Sequence, residues 1–173
     1  MLDTSINEVG VQLSDQALPG LVQLAGWDSF ENHALAALNP LKCPELPAVN
    51  RAKTFEGVTL LRLALDRVWV IGDAAKALVS QDMDQSKVVR LDLTHSRRLF
   101  TLTGPGACDC LMRWCAVDLR PRSFATDQLA QTGIHGIGIQ IFMEQAGVYH
   151  VLVPITYARA LENLLLPENI LAT

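Results

Sequence analysis

Asp118, Arg120 and Arg122 stand within five residues of one another in the run Asp118-Leu119-Arg120-Pro121-Arg122-Ser123. A carboxylate held among guanidinium groups stays ionised and can bind an amine or position one for transfer. The same spacing also suits an ordinary loop ion pair. Upstream, Asp92 and His95 close a strand pattern, where an acid and an imidazole could share a proton, or where the acid stabilises a turn and the imidazole stays in solvent. Gly104-Pro105-Gly106 opens a helical pattern and could offer amide groups to an anion. It lacks the lysine and the length of a phosphate loop, so a tight strand-to-helix turn is the favoured reading.

Three of the four cysteines, Cys108, Cys110 and Cys115, lie close together. Cys-X-Cys followed by four residues and another Cys is not the C-x2-C pairing of a zinc site, and no histidine is near in sequence, so they are expected to pack in a core. Helical spacing puts Cys108 and Cys115 on one face with Ala107, Leu111 and Met112, and points Cys110 elsewhere. His33, His135 and His150 are assigned to surface or packing. No Gly-X-Ser-X-Gly elbow, His-Glu-X-X-His helix or nucleotide loop is present, and several common enzyme classes leave such marks.

The chain has 173 residues and a net charge of −4, which gives no reason to expect nucleic-acid binding through a broad basic surface. Between Arg97 and Arg122, five arginines against two acids make that window +3 and leave −7 elsewhere. Arginine rather than lysine suits bidentate pairing with carboxylates, and the window is read as either a solvated face or a contact surface. Half of the residues are hydrophobic and 18% are charged. Such a balance favours a subunit that buries some of its outside against a partner, with Trp27 as one candidate anchor. No apolar run reaches membrane length, and the first residues show no export signal, so a soluble, cytoplasmic protein with reduced thiols is expected.

These side chains need elements to hold them. Residues 1 to 20 read as a loose arm with one short strand around Val9 to Leu13. A helix follows, capped by Asp28 or Ser29 and apolar at Phe30, Ala34, Ala37 and Leu38, until Asn39-Pro40 stops it. Pro40, Pro44 and Pro47 mark an extended connector. Strands are predicted over 59–65, 67–72, 88–93, 99–103, 128–132, 138–144 and 148–153. Helices are predicted over 73–79 (capped by Asp73), 105–115 and 156–165, the last with Tyr157, Ala160, Leu161, Leu164 and Leu165 as its apolar stripe. This order implies an α+β fold, mostly antiparallel sheet with helices on one face. The expected division is an N-terminal arm, helix and Pro-rich connector over 1–52 and an α+β domain over 53–173.

Asp92-Leu93-Thr94-His95 followed by Leu102-Thr103-Gly104-Pro105-Gly106-Ala107 resembles the T-protein (aminomethyltransferase) superfamily of the glycine cleavage system. There, an Asp-X-Ser-His strand end and a Gly-Pro-X-Ala turn recur. Cys115-Ala116-Val117-Asp118-Leu119-Arg120-Pro121-Arg122-Ser123-Phe124, then Ala130-Gln131-Thr132, is similar more specifically to the gamma subunit of heterotetrameric sarcosine oxidase. Leu63 to Val70 and Val153-Pro154-Ile155-Thr156-Tyr157-Ala158 extend the likeness over about residues 56 to 165.

The resemblance implies a T-protein-like, folate-binding aminomethyltransferase-type domain serving as a non-catalytic accessory subunit. Its implied partners are large flavin-containing subunits that hold FAD, FMN, NAD and tetrahydrofolate, oxidise sarcosine or a related N-methyl amino acid, and feed one-carbon folate metabolism. Alone, such a chain is expected to form a homo-oligomer. The implied alternative is a stand-alone folate-binding module using Asp118, Arg120, Arg122 and Arg98, with no catalytic residue or metal of its own. Asp118 falls roughly where T-proteins place the Asp that engages folate. However, the Gly-Gly-X-X-Asp-Asp strand expected downstream is here Gly136-Ile137-Gly138-Ile139-Gln140-Ile141, without either acid.

Overall fold

The computed structural model describes residues 4–6, as backbone, and 10–165. The strands are β1 (Thr4–Ile6), β2 (Gln12–Ala17), β3 (Leu21–Gly26), β4 (Arg51–Phe55), β5 (Val58–Ala64), β6 (Arg67–Ile71), β7 (Val88–Asp92), β8 (Arg97–Thr103), β9 (Leu129–Ile134), β10 (Ile137–Gln145) and β11 (Val148–Pro154). The α-helices are α1 (Phe30–Leu38), α2 (Ala77–Ser80), α3 (Ala107–Met112) and α4 (Ala158–Leu165). The fold is α+β, built on two antiparallel sheets, as the strand-rich order implies.

The chain divides into two compact units. One spans Leu18–His95, and the other joins the described residues up to Ala17 with those from Ser96 onward. The first unit holds a five-stranded sheet in the order β4-β5-β6-β3-β7. Val22 and Leu24 on β3, Leu60 on β5, Val68 and Val70 on β6, and Val88 on β7 alternate onto one face, where Phe30, Ala34 and Leu38 of α1 and Leu78 of α2 seal them from water. The second unit holds a six-stranded sheet in the order β1-β2-β8-β11-β10-β9. Phe100, Leu102, Ile139, Ile141, Tyr149, Val151 and Val153 point to its core face and pack with Leu111 of α3 and Leu161 and Leu165 of α4.

Several expectations are corrected. Residues 10–20 are not a loose arm, because β2 is an interior strand in antiparallel register with β8, from Gln12 opposite Thr103 to Ala17 opposite Arg98; Val9, where the expected short strand begins, lies outside the described residues. Leu21–Gly26 is a strand between β6 and β7, with Leu21, Val22 and Leu24 all buried. The chain therefore divides near residues 17/18 and 95/96 and not at 52/53. The physical reason is that β3, β4 and α1 complete the same sheet and core as β5 to β7.

Helix ends also differ. Ser29 sits before α1 in the left-handed region (φ 56°) and makes no side-chain cap, and Asp73 pairs with Lys76 at 3.0 Å instead of capping. Tyr157 precedes α4 and is exposed, as is Ala160 within it, and Leu161 and Leu165 carry the burial.

Candidate functional site

The segment after α3 carries the densest polar arrangement among the predicted site residues. Leu119 and Phe124 are buried, and the Tyr149 hydroxyl, itself buried, donates to the Leu119 carbonyl at 2.9 Å. These three anchors hold the loop down and leave Asp118, Arg120 and Arg122 at the surface. Removal from water also pushes the Tyr149 phenol well above its ordinary range.

Asp118 is fully engaged within its own loop. Its carboxylate accepts from Arg120 Nε at 2.6 Å and Nη2 at 2.8 Å, from Ser123 Oγ at 2.8 Å and from the Arg120 backbone N–H at 3.2 Å. The Ser123 and Phe124 amides in turn donate to the Arg120 carbonyl, both at 2.8 Å. This is an Asx turn: the acid accepts the Arg120 amide and clamps the same residue's guanidinium bidentately. The hydrogen bonds from Arg120 and then Ser123 hold the carboxyl far below the usual carboxylate range. The group is ionised and its lone pairs are largely used.

The four predicted ligand residues do not share one set of contacts. Arg120 meets Asp118, and Arg122 is exposed beside them. Arg98, on β8, instead forms a bidentate pair with Asp15 on β2, Nε to Oδ1 at 2.8 Å and Nη2 to Oδ2 at 2.6 Å. That pair is mostly shielded and ties β2 to β8, and it raises the Arg98 pKa.

Asp92 takes the turn role. It accepts the Thr94 N–H at 2.9 Å, and its hydrogen bonds with Thr94 hold the carboxyl below its usual value. His95 is exposed beyond it. The residue that sequence reasoning passed over is Thr94, whose buried hydroxyl accepts from the Leu21 N–H at 3.0 Å and donates to the Leu21 carbonyl at 3.4 Å, locking the end of β7 to the start of β3.

The thiols pack as expected but in a different arrangement. Cys110 and Cys115 are buried and Cys108 is only partly so, because α3 turns Cys110 toward the end of α4, where its Sγ approaches the Leu165 carbonyl at 3.8 Å. Burial pushes the Cys110 thiol up to about 11, so it is protonated and unreactive at neutral pH.

His150, assigned to surface or packing, takes the packing role. On β11 it stacks on Phe142 with ring centroids 4.9 Å apart, lies 3.1 Å from Thr101 Oγ1 through Nδ1, and faces Glu144 at 3.6 Å. Alternation along 148–153 could have placed it opposite Tyr149 and Val151. Desolvation outweighs Glu144 and lowers its pKa from 6.5. The folded state thus binds this proton less readily than the unfolded chain. Stability from this group is complete above about pH 6.5 and is lost as pH falls from there toward the folded-state value. Chemical denaturation at stepped pH should show that His150→Gln flattens this part of the pH profile; an unchanged slope would assign the dependence to other groups.

No family model matches the chain, and no curated protein matches it. Solved structures do. A chain of the heterotetrameric sarcosine oxidase from Corynebacterium sp. U-96 superposes with a TM-score of 0.76 at 22% identity, over 94% of this chain and 85% of that one. The glycine cleavage system aminomethyltransferase T from Bartonella henselae superposes with a TM-score of 0.57 at 18% identity, over 86% of this chain. This chain spans 43% of that transferase's length. The fold is therefore the T-protein-like one, shared with a sarcosine oxidase chain.

Proposed function

We propose that this chain is a non-catalytic, gamma-type accessory subunit of a heteromeric sarcosine-oxidase-like oxidoreductase, soluble and cytoplasmic. The observation that carries the reading is the near end-to-end correspondence with a sarcosine oxidase chain, 94% of one against 85% of the other. A match of whole chain to whole chain supports a shared role as a subunit; a match to part of a larger enzyme would support only a shared module. No helix among the described residues is long and apolar enough to cross a membrane. In this reading the large partner subunits hold FAD, FMN, NAD and tetrahydrofolate and carry out the oxidation of sarcosine or a related N-methyl amino acid, and this chain supplies surface.

The test is co-expression with the large flavin-bearing subunits. A complex that survives size-exclusion chromatography at a fixed stoichiometry is expected. Failure of this chain to elute with those subunits would overturn the reading.

The alternative, a stand-alone folate-binding module, draws on the likeness to aminomethyltransferase T. Here the carboxylate that would meet the ligand is already taken by Arg120 and Ser123. Calorimetric titration with tetrahydrofolate is expected to give no heat. Binding that is lost in Asp118→Asn would instead establish the module reading.

A further inference from the structure

We propose that β7 is a docking edge for a second copy of this chain: two β7 strands pair antiparallel about a two-fold axis, with Arg90 of each copy opposite Asp92 of the other and Leu91 meeting Leu91 on the axis. The inference does not rest on the accessory-subunit reading, because it concerns the chain by itself.

The backbone defines which groups face outward. β7 lies at one edge of the five-stranded sheet and runs in unbroken register with β3, from Val22 opposite Asp92 to Gly26 opposite Val88. The Leu93 amide donates to the Leu21 carbonyl at 2.8 Å, so the odd-numbered residues of this strand exchange bonds with β3. The even-numbered residues then aim their backbone groups away from the sheet. The Val88 amide is taken by the Asp84 carbonyl at 3.1 Å, which leaves the amides and carbonyls of Arg90 and Asp92 along the open edge.

Only certain registers let two such edges bond, since outward residues must face outward residues. Placing Arg90 opposite Asp92 satisfies this rule and forms two bonded pairs, related by the axis, using all four of those groups in each copy. In that register Leu91 faces its own mate in the closer, non-bonded kind of pair, and Val89 faces Leu93.

Side chains favour the same register. Leu91 is 54% exposed and Val89 36%, large values for apolar residues on a regular strand. Arg90 and Asp92 sit on the opposite face of β7 and are of opposite sign, so the two-fold makes two attractive pairs. Arg90 also bonds the Gln81 carbonyl, and Asp92 the Thr94 amide.

β7 carries no proline, glycine or bulge to guard it. The other edge of this sheet is guarded: β4 places Arg51 and Lys53 two apart, so self-pairing there would set cation against cation.

Sedimentation velocity on the full chain alone, across a concentration series, tests the proposal. Wild type is expected to dimerise. Leu91→Lys sets two ammonium groups on the axis, and Arg90→Asp or Asp92→Arg sets like charges across both pairs. Each should raise the dissociation constant roughly thirtyfold or more. An equimolar mixture of Arg90→Asp and Asp92→Arg chains should dimerise again, because each then supplies the charge the other lacks. Leu91→Lys, at an exposed position, keeps the wild-type melting profile and guards against a variant that fails for lack of folding. A monomeric wild type, or a dimer untouched by Leu91→Lys and Arg90→Asp, overturns the proposal.

Discussion

Gly104→Ala is expected to be among the most destabilising single substitutions in this chain, with a loss of about 4 kcal/mol or more. Gly104 adopts φ +96°, and a Cβ built there would lie 1.8 Å from the Gly10 carbonyl oxygen and 3.0 Å from its carbon. A methyl cannot share that space, and the atom it meets is backbone that leads directly into β2. Relief would require moving the entry of β2 or unwinding the turn that starts α3.

Gly136→Ala separates the two penalties. Gly136 also has a positive φ, +79°, but nothing lies within 4 Å of the added carbon. It should cost only the left-handed backbone penalty, about 1–2 kcal/mol. Thermal melts of both variants decide the matter. Equal shifts would mean that conformation alone, and not the approach of Gly10, requires glycine at position 104.

Phe100→Ala is the second large effect. Phe100 is fully buried at the centre of β8, opposite Val151 on β11 and Asp15 on β2. Removing its ring leaves a cavity beneath the six-stranded sheet, at about 3–5 kcal/mol, or roughly 6–20 °C in Tm for a chain of this size. Leu99→Ala, one residue earlier and half-buried on the opposite face, is the matched control. It should cost about 1 kcal/mol. A shift for Phe100→Ala no larger than the control would show that the sheet closes over the gap.

Much of this architecture was legible because it is local. Val58–Ala64 and Arg67–Ile71 announce themselves as a hairpin by composition and a turn at Asp66, and Gly104-Pro105-Gly106 reads as a corner on residue types alone. What sequence could not disclose is pairing at a distance. Nothing between Gln12 and Ala17 says that Asp15 will meet an arginine 83 residues on. Gln23 interrupts the apolar run of β3, and only the fold shows that its Oε1 accepts the Trp69 indole N–H at 2.9 Å.

The candidate site divides in the same way. The Asp118–Arg120–Ser123 turn is written in a six-residue span, so its ion pair follows from spacing. Arg98 was grouped with it by charge and neighbourhood in sequence, and strand pairing took it elsewhere. The helix caps failed for a related reason: Ser29 enters a left-handed conformation to turn the chain out of β3, and its hydroxyl is lost to capping.

The interruption of one unit by the other also sets an order of events at the ribosome. The Leu18–His95 unit has all its strands once His95 is made, whereas β2, synthesised before it, needs β8 for its long-range ladder. At roughly 5–20 residues per second, the gap of 83 residues between Asp15 and Arg98 keeps β2 waiting for several seconds beside an already foldable neighbour. Closing that long loop costs entropy before any of its bonds form, so docking of β2 onto β8 is placed late in folding. A nascent chain stalled when His95 has just cleared the ribosome should already protect the amides of β3 and β6 from exchange while leaving those of β2 open.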